Sequence, residues 1–258
     1  MATMERGNNI LKQAITLVKQ ERSSIKAEQC AFKAFRESVS HAQTTTGNGG
    51  TQTGCLLEAY KETVMSTPDF EAAYDEPVSE SLEAEFTPSI ANALQENEPV
   101  TQRFKRNLLV TTTAAIESRT RFVRVLEAEH ESIQTVREAV LDIEDTLQEL
   151  PACSLQCFQF ERFVDIWETC EEAVERCDRL SEQRQRHIAE RRTIDERANI
   201  EAHALNAYLY DDLETQFPAL HALAETRRRI ERCRGEATGP ASHTQDGNCD
   251  GGLEASSN

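Results

Sequence analysis

Between Thr101 and Leu150 the chain contains neither glycine nor proline, and its apolar residues recur at alternating steps of three and four. The series is Leu108, Ala115, Phe122, Leu126, Ile133, Val136, Val140, Ile143, Leu147 and Leu150. This spacing marks one face of a long helix, because 3.6 residues complete a turn and every third or fourth side chain returns to the same side. Three polar residues, Thr112, Arg119 and Glu129, interrupt it. Leu109, Ile116 and Val123 add a flanking stripe in the first half. The buried face is therefore expected to be wide near residues 104–126 and to narrow to a two-helix seam beyond. Roughly 50 residues at about 1.5 Å each make a helix about 75 Å long. Such a rod needs neighbours along its flank.

A similar stripe fills residues 1–41, the N-terminal long helix, where Leu11, Val18, Ile25, Phe32 and Val39 repeat every seven positions and Ala14, Ile15 and Phe35 widen it. A third starts near Gln159 with Phe160, Phe163, Trp167, Cys170, Val174 and Cys177, and resumes after a break in phase with Leu180, Ile188 and Ile194. Helical patterning continues through Leu205, Tyr208, Leu209 and Leu213, and Pro218 kinks it or opens a last helix carrying Leu220, Leu223 and Ile230. Residues 151–234 thus hold the third long helix and a C-terminal one. Pro151 ends the second long helix, since proline cannot continue the ladder and restricts the residue before it. The connection that follows is short, so helices 101–150 and 159–213 are expected to be antiparallel neighbours. In that hairpin Val140, Ile143, Leu147 and Leu150 would meet Phe160, Phe163 and a buried Trp167.

Three stretches differ in texture. Residues 42–54, rich in Thr and Gly, read as a flexible loop. Residues 55–100 read as a short-helix subdomain. Cys55 to Met65 forms one helix, Thr67-Pro68 and Thr87-Pro88 pair an N-cap residue with a first-turn proline, and Glu76-Pro77 opens a turn through Leu82 to Phe86. Phe70, Tyr74, Leu82, Phe86, Ile90 and Leu94 would form its core. Residues 235–258 carry almost nothing apolar and read as a disordered tail. The expected fold is all-α: an elongated antiparallel helical bundle or coiled coil of long heptad helices, with a small cluster of short ones.

Composition narrows the setting. The hydrophobic fraction is 38%, which suffices for paired helices that bury only a stripe. Neither an 18-residue apolar run nor a secretory leader is visible, so a membrane span is not expected and a cytoplasmic location is. Acidic residues number 45 against 28 basic ones, a formal charge of −17, which argues against simple phosphate-backbone binding. Only six of the 28 basic residues are Lys (12, 19, 26, 33, 61 and 105), so the rest are Arg. An acidic, Arg-for-Lys surface suits a high-salt cytoplasm, where screening removes carboxylate repulsion.

No constellation for catalysis emerges. Cys153 and Cys157 are spaced CxxxC without a second pair, a poor zinc signature, and Cys170 and Cys177 sit a heptad apart as small core hydrophobes. The eight cysteines read as reduced thiols. The six His (41, 130, 187, 203, 221 and 243) share no ligand spacing, and His130, next to Glu129, is expected to be half exposed. The basic runs Arg184–Arg197 and Arg227–Arg229 interleave with acids, as a solvated face stitched by pairs such as Glu172 with Arg176 and Glu182 with Arg186 would. No catalytic residue, metal ligand, cofactor or small-molecule site is therefore expected.

Residues 60–86, YKETVMSTPDFEAAYDEPVSESLEAEF, resemble a family of uncharacterised helical proteins from halophilic archaea. The resemblance rests on Glu62, Thr63, Val64, Met65, Pro68, Tyr74, Pro77, Leu82, Glu85 and Phe86, and extends more loosely over residues 4–230. It implies a domain of unknown function and assigns no activity. The expected role is a non-enzymatic helical scaffold or protein-interaction protein, binding a protein partner or itself through heptad seams. The competing readings are a regulatory protein contacting DNA or transcription machinery, and a metal- or thiol-dependent enzyme using Cys153 and Cys157.

Overall fold

The computed structural model describes residues 2–44, 51–67, 77–150, 160–197 and 204–238. Among them lie eight helices: α1 (Ala2–His41), α2 (Thr53–Thr63), α3 (Val78–Glu85), α4 (Pro88–Gln95), α5 (Gln102–Glu149), α6 (Phe160–Arg197), α7 (Ala204–Tyr210) and α8 (Pro218–Thr238). The described residues contain no strand, only one isolated bridge between Gln52 and Pro99. The all-α bundle expected from the heptads is what forms.

Its spine is α1 laid antiparallel on α5. Lys105 bonds the carbonyls of Ser40 and Ala42 at 2.6 and 2.7 Å, Thr120 faces Gln29 at 2.7 Å, and Arg137 reaches Asn8 at 3.0 Å. Partners advance along one helix as they retreat along the other. The Lys105 ammonium also sits where the last carbonyls of α1 have no intrahelical donor, a favourable place for a cation. At the start of α5, the Thr101 hydroxyl accepts from the Phe104 amide at 3.1 Å. At its end, Leu150 turns extended, as a residue before proline must, while Pro151 lies outside the described residues.

Each end of the spine carries its own core. At one, Phe32, Phe35 and Val39 of α1 and Leu108, Ala115 and Ile116 of α5 pack with Leu56, Tyr60, Leu82, Phe86 and Leu94 from α2, α3 and α4. Phe35, Tyr60 and Phe86 meet with ring centroids 5.3–6.2 Å apart. At the other, Leu11, Ile15 and Val18 of α1 join Ile133, Val140 and Ile143 of α5, Ile166, Cys170 and Cys177 of α6, Leu209 of α7, and Leu223 and Ile230 of α8. Burying one such side chain is worth about 1.5–3 kcal/mol.

Four expectations need correction. Part of the 42–54 loop is ordered. Thr53 opens α2, with its amide bonded to the Glu98 carbonyl at 2.8 Å and its hydroxyl to the Ala93 carbonyl at 2.6 Å. A clasp holds this start to the end of α4: Asn97 adopts φ 55°, and its Oδ1 accepts from the Gly54 amide at 2.9 Å. A β-carbon on Gly54 would stand 2.4 Å from that oxygen, so the close approach requires glycine. The C-terminal helix runs past Gly235 to Thr238, since a glycine inside a helix costs only about 1 kcal/mol of propensity and does not by itself end it. The tail beyond, residues 45–50, and Pro68, Phe70 and Tyr74 of the expected Thr67-Pro68 start lie outside the described residues.

The third correction concerns the hairpin. α6 does run antiparallel to α5, with Arg184 at Glu129 and Arg176 at Asp142, but its main neighbour is α8. Asp178 pairs with Arg227 and Glu171 with Arg234 along that seam. Cys170, Val174 and Cys177 face the core as expected, but near the start of α6 it is Ile166 that is buried, and Trp167 is 39% exposed rather than buried. Its ring lies under the Arg234 guanidinium at 4.9 Å, beside Phe163. The fourth is the pairing of Arg176, which reaches across to α5 rather than back to Glu172.

Candidate functional site: two charge networks on α5 and the cavity beside Arg119

The three polar interruptions of the α5 heptads have three different fates. Thr112 is fully buried and returns its hydroxyl to the Leu108 carbonyl of its own helix at 2.7 Å. Arg119 and Glu129 reach outward to other helices. Each organises one end of the molecule.

Arg119 is a clamp with three grips. Its Nε donates to Glu28 of α1 at 2.8 Å, and its two terminal nitrogens donate to Glu85 of α3 at 2.7 and 3.2 Å. Its guanidinium lies 4.2 Å over the Phe32 ring. Burial opposes its charge, but the hydrogen bonds and charges of Glu85 and Glu28 outweigh that and raise its pKa. One turn of α3 away, Ser81 meets the Tyr60 hydroxyl at 2.8 Å. Burial pushes the Tyr60 phenol up to about 12, with the Ser81 bond working partly against it. Tyr60 is a neutral core residue.

Glu129 is the opposite charge in a drier place, with no solvent exposure at all. Arg184 of α6 grips it with two nitrogens, at 2.6 and 2.9 Å. The Tyr210 hydroxyl of α7 donates to the same carboxylate at 2.6 Å, and Arg184 also donates to Ser132 at 3.0 Å. His187 brings Nε2 to 3.3 Å of the carboxylate without a bond of good geometry. Two-pronged pairing of a guanidinium with a carboxylate is the strong, direction-specific form of an ion pair. Arg184, the first residue of the basic run, is therefore buried rather than solvated. The side chains of residues 191–197 lie outside the described ones.

Beside Arg119, α1, α5 and α7 leave an open cavity of about 370 Å³, lined by Ile25, Glu28, Ser118, Arg119, Phe122, Leu205 and Tyr208. Tyr208 closes one side by donating to Glu21 of α1 at 2.9 Å. Farther along α5, a groove of about 610 Å³ follows residues 102–117, and Val110 there is 63% exposed.

The sequence-derived candidates for chemistry are scattered. Cys170 and Cys177 are buried in the α6 seam, where burial raises both thiols, Cys177 to about 11. A thiol held protonated is a poor nucleophile. Cys153 and Cys157 lie outside the described residues. His130 is half-buried, and burial together with Lys19 and Arg22 lowers its pKa. Arg227, Arg228 and Arg229 face Asp178, Glu225 and Glu144, respectively. No helix among the described residues is long and apolar enough to cross a membrane.

A family model described as a domain of unknown function (DUF7260) matches residues 9–234, from within α1 to within α8, so it spans the spine and both ends. No curated protein and no solved structure matches the chain.

Proposed function

We propose that this chain, which belongs to the DUF7260 family, is a non-enzymatic helical interaction protein of a high-salt cytoplasm that associates with a second copy of itself. The observation that carries this reading is Val110, an apolar residue of α5 that lies off the heptad seam and is 63% exposed. Leu109 and Ala114 lie beside it, and Arg106 and Glu117 bound the face at its two ends. Two such faces laid antiparallel about a twofold axis complement one another. Arg106 of one copy then meets Glu117 of the other, Val110 meets Thr113, and Leu109 meets Ala114. A patch that pairs with itself in this way is the geometry of a closed dimer. Its small extent fits a weak, concentration-dependent association rather than an obligate one. The acidic surface supports the high-salt setting, because screening at about 2 M salt shortens the range of carboxylate repulsion to a few Å.

Sedimentation equilibrium in about 2 M KCl tests the association under that screening. A dimer fraction rising with concentration is expected, weakened by Val110→Lys and by Arg106→Glu, and restored when Arg106→Glu is combined with Glu117→Arg. A monomer at every concentration would end the proposal. The salt setting has its own check: the melting temperature is expected to rise from low to molar KCl, and a flat response would remove it.

A further inference from the structure

The cavity between α1, α5 and α7 has the makings of a ligand site, although no motif in the sequence announces one. At about 370 Å³ it falls within the size range of small-molecule pockets. Its walls are mostly apolar: Ile25 from α1, Phe122 from α5, and Leu205 and Tyr208 from α7. The polar groups among its lining are Glu28, Arg119 and Ser118. Mostly apolar walls with these few polar groups match an amphipathic molecule.

The sign of the polar end follows from charge. Arg119 is already held by two carboxylates, Glu28 and Glu85, so the cluster carries one more negative charge than positive. Glu21 adds another at the rim, where Tyr208 donates to it. An anionic ligand would have to displace a carboxylate from Arg119, whereas a cation meets a surplus of negative charge. Phe122 and Tyr208 supply aromatic rings to the lining, and aromatic rings attract cations over their faces. We propose that this cavity binds a small organic cation, an aryl- or alkyl-ammonium whose apolar body lies against Phe122 and Leu205 and whose ammonium faces Glu28. The site is separate from the Val110 face and does not depend on self-association.

The test compares two probes of the same shape and opposite charge, 2-phenylethylammonium and 3-phenylpropanoate, titrated into the full chain by calorimetry with ligand-observed NMR. The ammonium is expected to bind about tenfold or more tightly than the carboxylate. Ser118→Trp places an indole at the exposed mouth without touching the core, and is expected to weaken ammonium binding by about tenfold or more while leaving the circular dichroism unchanged. Glu28→Gln is expected to reduce the preference for the ammonium. No binding of the ammonium, equal binding of the two probes, or full binding by Ser118→Trp would each overturn the proposal.

Discussion

The two ends of the α1–α5 spine solve the same problem with opposite charges. At the short-helix end the ion is Arg119, part-buried with 16% of its side chain exposed and shared among Glu28, Glu85 and the Phe32 ring. At the end formed by α6, α7 and α8 the ion is Glu129, with no exposure and with Arg184 at 2%. A cation spread over two half-exposed carboxylates and a ring can lose one contact and still be solvated. A carboxylate sealed in the core cannot, because desolvating an unpaired charge costs several kcal/mol. The Glu129 network should therefore act as the stricter of the two locks. It dictates which residue of α6 and which of α7 dock against α5.

The largest expected effect comes from opening that lock. Arg184→Ala leaves Glu129 buried with Tyr210 and His187 alone, and is expected to cost about 3–5 kcal/mol by chemical denaturation. Replacing Glu129 and Arg184 together by Leu is expected to recover most of that loss. Failure to recover would mean that the pair stabilises directly rather than by satisfying its own charges. At the other end, Glu85→Gln keeps Arg119 paired to Glu28 and is expected to cost only about 1–2 kcal/mol. An equal loss at both sites would erase the distinction between the ends.

Trp167→Ala is expected to cost about 1–2 kcal/mol, because the ring is a partly exposed rim residue and leaves no closed cavity when removed. Its emission is expected to be intermediate between buried and solvated, and a loss near 4 kcal/mol would place it in the core instead. The smallest effect is a gain. Glu144 is buried 3.8 Å from Arg229, and burial raises its pKa, with Arg229 only partly offsetting. A carboxyl whose pKa rises on folding holds its proton more tightly in the folded state. Its ionisation then costs stability, a deficit that grows as pH rises through the interval from the ordinary carboxylate range to the raised pKa and is full above it. Glu144→Gln is accordingly expected to melt slightly higher than the parent at pH 7 and to lose that advantage in acid. A lower melting temperature at pH 7 would show that Arg229 needs the charge.

Much of the spine was legible from periodicity. The seven-residue repeats of α1 and α5 placed Leu11, Val18, Phe32, Ile133 and Val140 in the core, where they are. The interruptions at Thr112, Arg119 and Glu129 were visible too, but a polar residue in a seam does not reveal whether it is solvated, bonded to its own helix or gripped by another. That depends on Glu85, Arg184 and Tyr210, which arrive from distant parts of the chain. Arg184 was hidden for a similar reason: it sits in a run of basic and acidic residues, and composition alone assigns the whole run to solvent. Trp167 was misplaced because Ile166, one position earlier, takes its place in the core, while Cys170, Val174 and Cys177 keep the expected phase. Periodicity locates a face to within about one residue, and here α8, far along the chain, decides which neighbour that face meets. The cavity beside Arg119 has no linear signature, since α1, α5 and α7 each supply only two or three of its residues.

Paired double-mutant cycles test the central claim most directly, with Glu129→Gln and Arg184→Met at one end and Glu85→Gln and Arg119→Met at the other. The coupling energy between Glu129 and Arg184 is expected to be about 3 kcal/mol, and that between Glu85 and Arg119 about 1 kcal/mol. Equal couplings, or a stronger one at the Arg119 end, would contradict the view that the sealed carboxylate is the stricter lock.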